Sequence, residues 1–325
     1  MGAALGRRLA TATATLLLVT VVVFALIHLA PGDPLAGVQS DDGLMRLSQQ
    51  ARDELRAHYR LDRPVHEQYL LWLRDLSRGD LGRSFHDRQP VTGKIADRLG
   101  VTVTLNVLAL VLTILIAVPV GTAAALSPAS TLDRMTAGGG YALYAVPAFW
   151  AGLLLQLLFA VQLDWLPLAG VRSTGHEFLS GGGRFADRAA HLVLPVLCLS
   201  YGGIAYVARF VRATLIESAA GESWRAARAR GLSLAAVLVR HGLRQAGLPL
   251  LTLAGFLLPG LVGGSVIVET VFSIPGLGRL FVDAAFQRDV PVLMGLTLLS
   301  GAATVVGIAL ADMAYALCDP RARRA

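Results

Sequence analysis

The chain has 325 residues, 54% of them hydrophobic and 16% charged, and a formal net charge of +7. An ordinary soluble domain is about one-quarter charged, so this composition excludes a soluble globular enzyme and reads as an integral membrane protein. The positive charge sits in polar intervals between apolar runs and not in a basic stripe on a soluble face, which points to membrane orientation and no nucleic-acid partner.

A hydrocarbon core about 30 Å thick is crossed by about 20 apolar residues in helical form. Windows free of Asp, Glu, Lys and Arg occur at 9–30, 101–126, 135–163, 189–208, 245–268 and 290–311. A single charge at mid-bilayer costs about 2.5–3.5 kcal/mol, so all of these windows are read as spans. The expected fold is all-α and polytopic, with six transmembrane helices. The first window follows Arg7 and Arg8 and outruns the roughly 7–15 apolar residues of a signal peptide, so it is read as retained. A cleaved signal before PGDP (31–34) is the alternative.

Six spans put both termini on one side. Thirteen basic residues then share the terminal side with five acids: Arg7, Arg8, Arg134, seven arginines between 209 and 244, Arg321, Arg323 and Arg324. The short loops opposite hold five basic residues, and the 70-residue stretch 31–100 is too long for the charge rule to govern. Both termini are expected in the cytoplasm.

Residues 1–30 are read as an N-terminal transmembrane helix and 31–100 as a small external helical subdomain on the membrane surface. In the latter, Leu70, Leu71, Leu73 and Leu76 have the spacing to share one face. Residues 101–318 are read as the core, with five spans and a cytoplasmic loop at 213–246, and 319–325 as a cytoplasmic tail. Only SPASTLDR (127–134) separates the second and third spans, which makes them antiparallel neighbours. Trp165, in the loop 164–188, is read as an interfacial anchor.

Between the fourth and fifth spans, helix formers run to Gly231 and Ser233 is placed to cap a second helix. Small side chains at Ala226, Ala227 and Ala229 would let a partner approach the backbone, with Glu222, Arg225, Arg228 and Arg230 as a charged rim. A basic helix touching anionic lipid accounts for the arginines but not for the glycine at the turn. The fifth span carries Pro249, Pro259, Gly260, Gly263 and Gly264. Such breaks persist in a membrane where neighbouring helices or an aqueous cavity satisfy the backbone. Leu258, Val262, Gly263 and Ser265 are therefore read as pathway-lining, with tight packing of small residues as the alternative.

Several chemistries lack their residues. The sole lysine, Lys94, has neither the spacing of a phosphate-binding loop nor its following hydroxyl. The spans contain no ionisable group apart from His28 and His191 near their outer ends, which disfavours ion coupling. Ser200, Ser265 and Ser300 lack a nucleophile setting, and His58, His66 and His86 match no metal-ligand spacing. Cys198 and Cys318 suggest no disulfide. The chain is expected to be non-catalytic, to hold no metal or cofactor, and to be driven by another chain.

RAARARG (225–231), followed by Pro249, resembles the EAA loop of ABC importer permeases, written EAA, three residues, then Gly. By resemblance Arg225, Ala226, Ala227 and Gly231 take the motif positions, with Arg225 in place of the consensus glutamate. VETVFSIPGLGRLFVDAAFQRDVPVLMG (268–295) is similar to the signature of the dipeptide, oligopeptide and nickel branch. It matches at Glu269, Phe272, Pro275, Gly276, Gly278, Arg288, Asp289, Pro291 and Gly295. PGDP, GDLGRSF (79–85), Pro90 with Val91, and DPR (319–321) resemble the same branch.

The resemblance implies a type I permease architecture in the bacterial cytoplasmic membrane, importing peptides, or alternatively nickel or another small solute. It implies a homologous second permease, two ATPase subunits that bind ATP and Mg, and an extracytoplasmic solute-binding protein. Glu222, Arg225, Ala226, Ala227, Arg228 and Gly231 would couple to the ATPase. Ser265, Glu269, Pro275, Gly276 and Gly278 would belong to the pathway or its external gate. An ATP-independent channel or scaffold is the alternative of another class.

Overall fold

The computed structural model describes residues 2–29, 56, 57, 60, 62–140, 143, 145–219, 221–237 and 265–318. Helices dominate these residues, and the one β-type pairing among them is an isolated antiparallel bridge between Arg83 and Pro90. The main helices are α1 (Gly2–Leu29), α2 (Val65–Ser77), α3 (Val91–Leu126), α4 (Ala148–Leu155), α5 (Gly181–Ala219), α6 (Glu222–Ala229), α7 (Leu277–Phe286) and α8 (Val290–Cys318). Among the described residues, Val91–Leu126, Gly181–Ala219 and Val290–Leu310 are long and apolar enough to cross a membrane, and Ala10–Ala25 and Ala148–Gln162 are shorter apolar helices. The window 245–268 lies almost wholly outside the described residues.

Helices α3 and α5 form the spine. A Cβ at Gly121 would lie 2.4 Å from the Ala208 carbonyl oxygen, so only glycine lets the two backbones meet there. Large apolar side chains elsewhere on these helices, Leu115 among them, face outward as in a lipid-exposed body.

Three expectations change. First, α3 starts at Val91, ten residues before its apolar window, and so runs through the boundary drawn at residue 100. The cause is local: Pro90 has no N–H to leave unpaired at a helix start, and the hairpin Arg83–Pro90 delivers the chain with Val91 N–H donating to the Gly82 carbonyl at 3.0 Å.

Second, the window 135–163 is not one regular helix. A turn at 145–147 precedes α4, and Met135–Gly139 and Gln156–Gln162 are π-helical. The carbonyls flanking the break are met by α5: Tyr201 Oη donates to Val146 O at 2.5 Å and Cys198 Sγ to Ala148 O at 3.3 Å.

Third, Leu70 is 61% exposed and is not on the packed face of α2. That face is set by Tyr69 and Trp72, whose rings lie 5.3 and 6.0 Å from Phe24 of α1. Tyr69 Oη also lies 2.9 Å from Thr20 Oγ1. Aromatic area outweighs leucine count here, because each ring buries more apolar surface and adds edge geometry.

Candidate functional site

The loop after α5 is built as a helix, a glycine turn and a capped second turn. Gly231 has φ +81°, a left-handed conformation that favours glycine, and Leu232 N–H donates back to Ala227 O at 3.4 Å, closing the end of α6. Ser233 Oγ then accepts from Ala236 N–H at 3.2 Å, capping Leu234–Val237. Backbone geometry thereby accounts for the glycine that lipid contact leaves unexplained.

Trp224, Ala227 and Val237 are buried in one apolar cluster with Val207, Ala208, Val211 and Leu215 of α5 and Ala117 of α3. Ala227 is fully buried, which corrects the expectation that it offers a partner close approach: its methyl anchors α6 to the spine. Ala226, Ala229, Arg230 and Gly231 are exposed, so a ridge of small residues remains outward while the other side of α6 is held. Glu222, Arg225 and Arg228 lie on the same helix.

At the other end of the molecule, the segment 268–295 folds around Glu269, which is 1% exposed. Its Oε2 accepts from Arg279 N–H at 2.9 Å, and its Oε1 accepts from Thr102 Oγ1–H at 2.9 Å. Thr102 Oγ1 in turn accepts from Leu277 N–H at 2.8 Å. The carboxylate therefore sits on the N-terminus of α7, where unpaired amides and the helix dipole favour negative charge. The two glycines of PGLG make room for it. A Cβ at Gly276 would lie 2.4 Å from Glu269 Cδ, and one at Gly278 would lie 2.7 Å from Val266 N and 3.0 Å from Glu269 Oε2. Pro275 is exposed at the turn.

The preceding segment is fastened from a third direction. Gln156 Nε2 donates to Leu168 O at 2.8 Å and to Val271 O at 3.2 Å, and Gly170 N–H donates to Phe272 O at 2.8 Å. The buried Gln156 in an apolar window thus ties the Val271 carbonyl at the end of Val266–Val271 to the Leu168 carbonyl of the 164–188 loop.

GDLGRSF and QRDVP, some two hundred residues apart, meet at Asp289, which is 1% exposed. Its carboxylate accepts from Ser84 Oγ–H and, at 3.0 Å, from Phe85 N–H. Lys94 Nζ completes the cluster, donating to Asp87 Oδ2 at 2.8 Å and Ser84 Oγ at 3.1 Å and lying 3.9 Å from Asp289 Oδ2. Burial pushes the Asp87 carboxyl up, but hydrogen bonds from Lys94 and the Gln89 amide outweigh it and leave the group below its usual range. At Gly295 a Cβ would come within 2.8 Å of Val91 Cγ1, so this glycine lets α8 lie against the start of α3.

The structure brings Glu269, Gly276 and Gly278 together, with Pro275 beside them. Ser265 precedes the same short helix. Leu258, Val262 and Gly263 lie outside the described residues. Sequence reasoning missed Thr102, a hydroxyl inside an apolar window with no local signal, and Lys94, which it weighed only as a phosphate-loop residue. His176 is also buried: its Nδ1 lies 2.6 Å from Asp187 Oδ2, and Ser173 donates to the same carboxylate.

The described residues thus form a long-helical body with apolar outer surfaces, a glycine-terminated ridge at one end and a glutamate-capped helix at the other. The model for the Binding-protein-dependent transport system inner membrane component matches residues 117–324, and the model for its N-terminal part matches residues 1–106. The chain belongs to this family of ABC importer permeases. It is 37% identical to the oligopeptide transport system permease protein AppB of Bacillus subtilis (strain 168), over 99% of this chain and 99% of that protein. It is 33% identical to the dipeptide transport system permease protein DppB of Escherichia coli (strain K12), over 98% of this chain and 97% of that protein.

Proposed function

We propose that this chain is a membrane subunit of an ATP-driven, binding-protein-dependent importer of peptides and forms half of its translocation pathway. The observation that carries this reading is the construction of α6: one side sunk into the spine through Trp224 and Ala227, the other presenting Ala226, Ala229 and the Gly231 turn. A helix held in this way passes an outside push into α5 without deforming, because packed interiors resist compression. Near-full-length similarity to proteins named for oligopeptide and dipeptide transport supports peptides over nickel or other small solutes.

In this reading six helices cross the bacterial cytoplasmic membrane with both ends in the cytoplasm, and the residues 31–100 face outward. Two ATPase subunits, which bind ATP and Mg, grip residues 222–231, a homologous permease supplies the other half of the pathway, and a solute-binding protein delivers peptide. Leu258, Val262, Gly263 and Ser265 line the route, and the Glu269–Gly278 turn stands at its outer mouth. Motor closure switches the cavity from outward to inward access.

The test is reconstitution. The chain with its ATPases, second permease and binding protein in proteoliposomes should accumulate peptide only with ATP, and a cysteine at Ala226 should crosslink to an ATPase subunit. Peptide uptake without ATP, or a complex to which no ATPase binds, would overturn the reading in favour of a channel or scaffold.

A further inference from the structure

We propose that Asp133 and Arg212 form a positioning pair that carries displacement of α6 into the 127–134 turn and α3, so that two membrane helices move as one body. This inference rests on the importer reading above and deepens it.

Arg212 lies on α5 between Val211 and Leu215, two fully buried residues of the cluster that holds Trp224 and Ala227. Whatever moves α6 therefore moves the backbone that bears Arg212. Arg212 Nε donates to Asp133 Oδ1, and Asp133 Oδ2 accepts from Ala129 N–H at 2.9 Å. The Asp133 N–H donates to Ser130 Oγ at 3.1 Å, capping Thr131–Arg134. Asp133 is thus the node at which the turn closes on itself and on α5.

Its environment fits a fastening. The Asp133 carboxylate is 8% exposed and the Arg212 side chain 22%, so this arginine is not simply reaching for lipid headgroups. The hydrogen bond from Arg212, then that from the Ala129 amide, hold the Asp133 carboxyl below its usual range against the opposing effect of burial.

The apolar contacts between α3 and α5 do not supply the same constraint. Close approach at Gly121 and the shared cluster at Ala117 already hold the helices against compression, but apolar contacts carry no hydrogen-bond direction and resist sliding and rotation less than a fixed ion pair does. A charge-assisted hydrogen bond from a planar guanidinium to a carboxylate fixed by its own turn has a direction, and it resists both. The pair lies where the stroke enters, within one helical turn of the residues that anchor α6.

The experiment uses the full complex in proteoliposomes, with an isotope-labelled peptide mixture from a protein hydrolysate, and reads peptide moved per ATP hydrolysed. Asp133→Arg and Arg212→Asp should each lower that ratio about tenfold, within the usual 5–150-fold range of coupling between sites. The double exchange should restore it to within about threefold, because a reversed pair regains direction and charge. Arg212→Lys keeps the charge but loses the planar fork, and in an assembled complex it should lower the ratio severalfold. Reversals that leave the ratio unchanged, a double exchange no better than the singles, or an unaffected lysine variant would overturn the inference. A wild-type complex that moves no peptide would remove the importer reading and this inference together.

Discussion

The carboxylate of Glu269 occupies the space in which a side chain at Gly276 would begin, with 2.4 Å separating Glu269 Cδ from the position of that Cβ. The signature glycine and the signature glutamate are two halves of one packing solution. Gly276 has φ −102°, an ordinary value, so steric exclusion and not backbone freedom explains the residue.

Gly276→Ala should therefore destabilise the protein by overpacking, on the order of 1–3 kcal/mol. Glu269→Ala should relieve part of that cost, giving a coupling of at least about 0.5 kcal/mol in a double-mutant cycle. Thermal unfolding of the detergent-solubilised complex measures it, and strictly additive effects would contradict the shared space.

Glu269→Ala alone leaves the part-buried Arg279 N–H without its acceptor, at a cost of about 1 kcal/mol. Glu269→Gln retains an acceptor oxygen and should lose less. Thr102→Val, which removes a donor to Glu269 and the acceptor of Leu277 N–H, should resemble the alanine variant. Equal stability of Glu269→Gln and Glu269→Ala would show that the capping bonds contribute nothing.

Lys94 is the only lysine and is 8% exposed, so an amine-reactive reagent should modify it slowly in the folded protein. Asp289→Ala removes the buried carboxylate that Ser84 and Phe85 hold, and should open the cluster and speed labelling. Peptide mapping by mass spectrometry separates Lys94 from the terminal amine. Rapid modification of the unsubstituted protein would show that the cluster is open.

Asp187 is held down to about 2, first by the Ser173 hydroxyl, then by the Ser173 amide, with burial opposing and His176 assisting. Its folded value lies below its unfolded one, so its stabilisation is present above the ordinary carboxylate range and is lost as pH falls through about 2. Asp187→Asn should flatten the loss of thermal stability between about pH 4 and pH 2. An unchanged acid slope would remove Asp187 as its source.

Gly231→Val should strain the turn, since φ is +81° while nothing lies within 4 Å of the added Cβ. A non-glycine residue in the left-handed region costs roughly 1–2 kcal/mol, and a β-branched one suffers most. Receptor-stimulated ATP hydrolysis should fall for Gly231→Val and much less for Gly231→Asn, which tolerates that region. Equal effects of valine and asparagine would assign the loss to the exposed surface and not to the turn.

Local chemistry made part of the site readable. Gly231 followed by Ser233 signals a turn and a cap within three residues, and both are found. Pro275–Gly276 signals a helix break, and α7 begins directly after it. Thr102, Ser84 and Arg212 carry no such local signal. Their partners lie 167, 205 and 79 residues away in sequence, and no periodicity within a window reports a partner at that distance. Ala227 differs in kind: alanine on a polar helix has the composition of an outward face, and its burial follows from how α6 docks on Val211 and Leu215 of α5 and Ala117 of α3.

By itself the sequence determined that the chain is a helical membrane protein, because uncharged runs of bilayer length are one-dimensional facts, and its lack of a phosphate loop set the expectation of a motor on another chain. It also carried the motifs of its family, since these are strings of residue types. Only the tertiary structure decided why those strings are what they are. Glu269 must be acidic and Gly276 bare because a buried carboxylate needs the amides at the start of α7 and the room to reach them. Hydrogen-bond partners and excluded volume are properties of three-dimensional neighbours, and folding alone brings those neighbours together.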